Sequence, residues 1–128
     1  MNTKLTAFTM VALLAWCSMA LAVDVFPGQP NIKGAYNKLL NAIGQLEKSK
    51  QGEAQKHIDL AIVDLAAAKT MLEQSTNNKG TYRPTAIKLC DEAKEVLSAA
   101  PPDVVKATEI ANHALKEVTM AGKAGSHR

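Results

Sequence analysis

Apolar residues recur every three or four positions along four consecutive segments of the sequence, at about residues 32–48, 53–74, 84–99 and 103–121. This spacing places them on one face of an α-helix, and no segment shows the period-two alternation of a strand. The predicted inward positions, segment by segment, are Ile32, Ala35, Leu39, Ala42, Ile43 and Leu46; Ala54, Ile58, Ala61, Ile62, Leu65 and Leu72; Ala86, Leu89, Cys90, Ala93, Val96 and Leu97; and Ala107, Ile110, Ala111, Ala114, Leu115, Val118 and Ala121.

The connections between these segments are short and polar, at Gly52, at residues 75–80 and at residues 101–103. Helices of this length are not stable alone, so their apolar faces must be buried against one another. Short connections favour antiparallel neighbours. The pattern therefore predicts an all-α protein, an antiparallel four-helix bundle over residues 31–122.

The second half of the predicted bundle resembles the first. Leu39, Ile43 and Leu46 recur as Leu89, Ala93 and Val96, and Ala54, Ala61, Ile62 and Leu65 recur as Ala107, Ala114, Leu115 and Val118. Such an internal repeat is typical of a duplicated helical hairpin, although alanine-rich helices also match one another by chance. We interpret the bundle as two helical hairpins.

The segments at the ends of the bundle lack helical periodicity. Residues 23–30 contain Pro27, Gly28 and Pro30, which predict an extended leader before a helix capped by Asn31. Pro84 marks the start of the third helix, because proline suits the first helical turn. Residues 123–128 are predicted to form a flexible tail.

The N-terminus has the three parts of a secretory signal peptide. Lys4 precedes an apolar run that extends to Trp16, and the small-residue motif Ala20-Leu21-Ala22 follows. The run is shorter than the roughly 20 apolar residues of a membrane span. We expect cleavage after Ala22 and export to the periplasm or beyond, with no membrane association afterwards. Lipid attachment at Cys17 is the alternative, but the bulky Trp16 before it is unlike a lipoprotein signal.

Charge and composition exclude several classes of partner. The net charge of the chain is +3, and loss of Lys4 with the signal peptide reduces it to about +2, with lysines and acids interspersed. This balance, with few aromatic residues left, argues against nucleic-acid binding. Cleavage also leaves Cys90 as the single cysteine, so no intrachain disulfide is expected.

No motif for catalysis or haem binding stands out. The sequence has no Gly-rich phosphate loop, no zincin histidine pair and no Cys-x-x-Cys-His. Cys90 lies on an inward face, where a free cysteine is usually a small core residue. His113 lies away from the apolar face of its helix, which makes it unsuited to bind a buried haem. We therefore expect a protein without enzymatic activity.

Two helices carry a histidine with acidic residues at helical spacing. The candidate metal ligands are Glu53, His57 and Asp64 on the second helix and Glu109, His113 and Glu117 on the fourth. Imidazole with carboxylates suits a divalent transition metal such as copper, nickel or zinc. The alternative interpretation is an ordinary helix surface, in which such pairs contribute a few tenths of a kcal/mol.

The second helix also carries apolar residues on the side away from its core face, namely Leu60, Val63, Ala67 and Met71. A helix that is apolar on both sides is usually buried or contacts a partner. This outer stripe either packs inside an asymmetric bundle or forms a surface for a homodimer or another protein partner.

The signal peptide, the repeated hairpin and the phrases GEAQKHIDLAIVDLAAAK and VVKATEIANHALKEV resemble the small metal-binding protein family. The resemblance implies an exported helical bundle whose histidines bind divalent metals such as copper or nickel. Only His57 and His113 match as helical histidines; His127 lies in the predicted tail. The expected function is weak divalent-metal binding, lost as the pH falls below about 6.5. The alternative is a protein-interaction module that uses the outer stripe.

Overall fold

Four α-helices form the protein in a computed structural model that describes residues 26–76 and 80–126. They are α1 (Pro30–Ser49), α2 (Ala54–Gln74), α3 (Tyr82–Ser98) and α4 (Val104–Ser126). No β-strand occurs within these described ranges. The predicted all-α four-helix bundle is confirmed, whereas the predicted signal peptide and the first residues of the leader lie outside the described part.

Each helix packs against the helices before and after it, and α4 closes the bundle against α1. Side-chain contacts at one end of the bundle show that neighbouring helices are antiparallel. Asn31 Nδ2 at the start of α1 donates to the Gln74 carbonyl at the end of α2 (3.2 Å). Arg83 Nη1 at the start of α3 donates to the Leu72 carbonyl (3.1 Å). The bundle therefore has up-and-down order, with α2 and α4 on opposite sides.

The core consists of the predicted apolar faces, and most of its side chains are leucine or alanine. Ile43, Ile62, Val96, Ile110 and Leu115 are only partly buried but pack against the core. Ala54 is exposed, because it is the first residue of α2 and lies beyond the end of the packed layer. Phe26 and Ala68 are buried although the pattern did not place them inward.

The leader contacts the far end of the chain through Phe26, which is 1% exposed. Its ring packs edge-on against Tyr36, with the ring centroids 5.6 Å apart, and lies against Gly122 of α4. Gln29 Nε2 donates to the Gly122 carbonyl (2.9 Å). These contacts add packing and a hydrogen bond to the last turns of α4.

Helix α4 continues to Ser126, past the end at about residue 121 that the pattern predicts. Residues 123–126 are thus helical instead of forming part of a flexible tail. Lys123 lies in the last turn, where a cation interacts favourably with the helix dipole. The apolar pattern could not show this extension, because the residues after Ala121 are small or polar and carry no apolar periodicity.

The helix starts also differ from those that the sequence predicts. Helix α1 begins at Pro30, and Asn31 bonds to α2 instead of capping its own helix. Helix α3 begins at Tyr82, so Pro84 is its third residue. Helix α4 has a side-chain cap, in which Asp103 Oδ1 accepts from the Lys106 amide (3.0 Å). None of the described helices is both long enough and apolar enough to cross a membrane.

Candidate functional site

The candidate ligands of the fourth helix lie on one continuous stretch of α4. Glu109, His113 and Glu117 are each separated by four residues, slightly more than one helical turn, so they follow one another along the same side of the helix. His113 Nε2 is 3.3 Å from Glu117 Oε1, with side chains 54% and 20% exposed, respectively. Glu109 is also exposed. The structure thus brings one imidazole nitrogen and one carboxylate oxygen together at the surface.

The separation of these two atoms suits a shared metal ion. Two ligand atoms that each lie about 2.0–2.2 Å from a tetrahedral ion are roughly 3.3–3.6 Å apart. His113 Nε2 and Glu117 Oε1 already have a separation in this range. Without a metal the same contact is an ordinary pair one turn apart, which stabilises a helix by a few tenths of a kcal/mol.

His57 lies at the contact between α2 and α1. Its Nδ1 is 2.7 Å from Gln45 Oε1, and the side chain is half-buried. Because an amide oxygen can only accept, Nδ1 is the donor in this contact, and Nε2 is the ring nitrogen left for a ligand. A histidine oriented in this way resembles the ligands of metal sites, in which the second ring nitrogen donates to a protein oxygen.

The acids predicted to accompany His57 have other neighbours. Glu53 precedes α2 with a left-handed backbone (φ +47°), and its carboxylate is 3.5 Å from Lys56 Nζ. Partial burial raises the pKa of Asp64, and the nearby Lys38 acts in the opposite direction. Within the two described ranges, no three His, Cys, Asp or Glu side chains are close enough to hold one metal ion.

The two histidines belong to separate places on the molecule. His57 lies near the start of α2 and His113 in the middle of α4, and these helices are on opposite sides of the bundle. One ion cannot bind both side chains of the same molecule. Cys90 cannot join either histidine in binding a metal ion, because it is fully buried between the helices.

The outer stripe of α2 divides into an exposed part and a packed part. Leu60 is 40% and Val63 is 62% exposed, whereas Ala67 and Met71 are half-buried. Met71 packs against α1 where Gly34 leaves room for it, and a Cβ on that glycine would lie 2.5 Å from the Met71 sulfur. Met71 is therefore largely part of the contact between α1 and α2, while Leu60 and Val63 face solvent.

Gln45, which contacts His57, is a side chain at these candidate sites that the sequence did not indicate. It lies on α1, twelve residues before His57, and helical spacing within α2 cannot reveal it. The signal that could have found it is the hairpin itself. Folding α1 back on α2 about the turn at residues 50–53 brings position 45 opposite position 57.

Comparison with known proteins found no match for this chain among protein-family models, curated proteins or solved structures.

Proposed function

We propose that the protein is an exported, non-enzymatic helical-bundle protein that binds a divalent transition-metal ion reversibly on the exposed side of α4. The observation that carries the proposal is the 3.3 Å approach of His113 Nε2 to Glu117 Oε1. Both residues lie on a rigid helix with Glu109 one turn earlier. The resemblance to small metal-binding proteins, in which helical histidines are the ligands, supports the same function.

The proposed site on α4 coordinates the ion through two protein ligands. The neutral imidazole supplies a nitrogen lone pair and Glu117 supplies negative charge, while water fills the remaining positions. Affinity should be highest for copper among copper, nickel and zinc. So few protein ligands give weak binding and fast release, which suits an ion that is carried or buffered. Metal binding competes with protons for the imidazole nitrogen, so the ion is released in acid.

His57 provides a second and weaker place for an ion. Gln45 orients its ring through the 2.7 Å contact, but the Glu53 carboxylate lies beside Lys56 and Asp64 is partly buried near Lys38. A single imidazole without a carboxylate partner contributes less to binding than the pair on α4. The order of affinity is therefore the α4 pair first and His57 second.

Isothermal titration with copper, nickel and zinc tests this proposal on the protein purified after export. We expect His113→Ala to abolish the tighter binding event and Glu117→Gln to weaken it. His57→Ala is the matched control, because it removes the other helical histidine and should leave the tighter event unchanged. Circular dichroism confirms that each variant keeps its helices. The absence of heat at millimolar metal, or tight binding that survives His113→Ala, would refute the proposal.

The mass of the purified chain tests the export part separately. Cleavage after Ala22 leaves Val23 as the first residue, whereas lipid attachment would leave Cys17 first and add acyl chains. An intact chain that stays in the cytoplasm would contradict export without deciding whether the metal binds.

A further inference from the structure

The fully exposed positions in the middle turns of α2 are uncharged. The charged residues of these turns are half-buried, Asp64 near Lys38 and Lys69 in contact with Asp91 of α3. Leu60, Val63 and Thr70 are exposed there, and the half-buried Ala66 and Ala67 lie between them. The exposed sides of α3 and α4 differ, since they carry charges in the corresponding turns, namely Lys88 and Glu95 on α3 and Glu109 and Lys116 on α4. Helix α2 therefore has a stretch about 15 Å long without a fully exposed charge, measured from Leu60 to Thr70 at 1.5 Å per residue.

Exposed charges of opposite sign lie near the two ends of this surface. Lys56 precedes it and Glu73 follows it. The two are equally far from the midpoint between Asp64 and Leu65, at about 13 Å along the helix on each side. Asp59, also near the first end, is already engaged by Gln55 Nε2 at 2.8 Å.

The charges and apolar residues on the exposed side of α2 are complementary to those of a second copy of α2 that runs in the opposite direction. If two copies of α2 pack antiparallel about that midpoint, Lys56 of each copy comes level with Glu73 of the other. Val63 then lies opposite Ala66 and Ala67, whose small side chains leave room for it. Parallel packing would instead place lysine beside lysine and glutamate beside glutamate.

We propose that the outer face of α2, defined as Lys56, Leu60, Val63, Ala67 and Glu73, is the interface of a symmetric antiparallel homodimer. The same patch on both copies is what a two-fold axis requires. Lys56 is free to change partner, because its contact with Glu53 joins two well-exposed side chains and such pairs contribute little. The tighter of the two proposed metal sites takes no part in this interface, since His113 lies on α4, on the opposite side of the bundle.

Sedimentation equilibrium over a range of protein concentrations tests the interface. We expect the exported wild-type protein to dimerise with rising concentration and Val63→Asp to remain monomeric throughout. Val105→Asp is the matched control, because Val105 lies on α4 and is 63% exposed, against 62% for Val63. Val105→Asp should dimerise like the wild type. A wild type that is monomeric at millimolar concentration, or two variants that behave alike, would overturn the proposal.

Charge reversal tests the antiparallel orientation. Lys56→Glu alone and Glu73→Lys alone each place like charges together, so both should lose dimer. The double variant Lys56→Glu with Glu73→Lys restores opposite charges at both ends and should recover it. Failure of the double variant to recover, while circular dichroism shows intact helices, would contradict this pairing. If the double variant formed a complex only when another protein was added, the surface would bind that partner and the homodimer proposal would be wrong.

Discussion

The aromatic ring of Phe26 packs against the backbone of Gly122, which joins the segment before α1 to the last turns of α4. A glycine in a helix interior normally costs stability relative to alanine. Here the missing side chain makes room for the ring, and Gln29 bonds to the Gly122 carbonyl beside it. The ends of the described chain are therefore held together by a contact that only glycine permits.

Replacing Gly122 with alanine should destabilise the protein. A Cβ at this position would overlap the Phe26 ring, and forcing an extra carbon into a packed site costs typically 1–3 kcal/mol. This cost exceeds the gain of about 1 kcal/mol from higher helix propensity. We expect a lower free energy of unfolding for Gly122→Ala, measured by denaturant titration and followed by circular dichroism.

Gly44 is the matched control, because it lies within α1 and a Cβ there would meet nothing within 4 Å. Gly44→Ala should raise the free energy of unfolding by about 0.5–1 kcal/mol through helix propensity alone. If both alanine variants were stabilised equally, the ring of Phe26 would not be packed on Gly122 as described.

The sequence predicted the parts of the fold that repeat within a helix and missed those that depend on distant residues. The core positions of α1, from Ile32 to Leu46, follow from spacing alone. The burial of Phe26 does not follow from spacing, because its contact with Gly122 joins two residues that are far apart in the sequence. The leader that contains Phe26 was predicted to be extended. For the candidate sites, spacing placed His113 and Glu117 on one side of a helix, whereas the contact of His57 with Gln45 requires the register between two helices.

Asp91 on α3 should stabilise the protein in a pH-dependent way. Lys69 on α2 lies 3.0 Å from its carboxylate, and this hydrogen bond holds the pKa of Asp91 below its usual value. A lowered pKa means that the stabilisation is present above the unfolded-state pKa of about 3.9 and is lost as the pH falls through the folded-state value. Asp91→Asn should therefore lower the free energy of unfolding at neutral pH, and the difference from wild type should shrink below about pH 4.

Asp64→Asn should act in the opposite direction at neutral pH. Burial raises the pKa of Asp64, so its charged form is disfavoured in the folded protein, and Lys38 offsets only part of this effect. Removing the charge should raise the free energy of unfolding, and the difference from wild type should vanish in acid, where Asp64 is protonated in both states. If both asparagine variants lost stability at neutral pH and kept that loss in acid, a cause other than carboxylate charge would be at work.

Cys90 should be chemically silent in the folded protein. Its side chain is fully buried, and burial, with a smaller contribution from Asp91, raises the pKa of the thiol to about 12. The thiolate is the reactive form, so both access and ionisation are suppressed at neutral pH. We expect a thiol reagent such as iodoacetamide to modify Cys90 completely in denaturant and very slowly in native buffer, as measured by mass spectrometry.

The slow labelling of Cys90 in native buffer should depend on how often the bundle opens, because the reagent reaches Cys90 only when helices separate. Where opening and closing are fast relative to labelling, the rate tracks the population of the open form. Labelling of Cys90 should thus be faster in Gly122→Ala and slower in Gly44→Ala than in the wild type. Rapid labelling at equal rates in all three proteins would show that Cys90 is accessible without such opening and would contradict its place in the core.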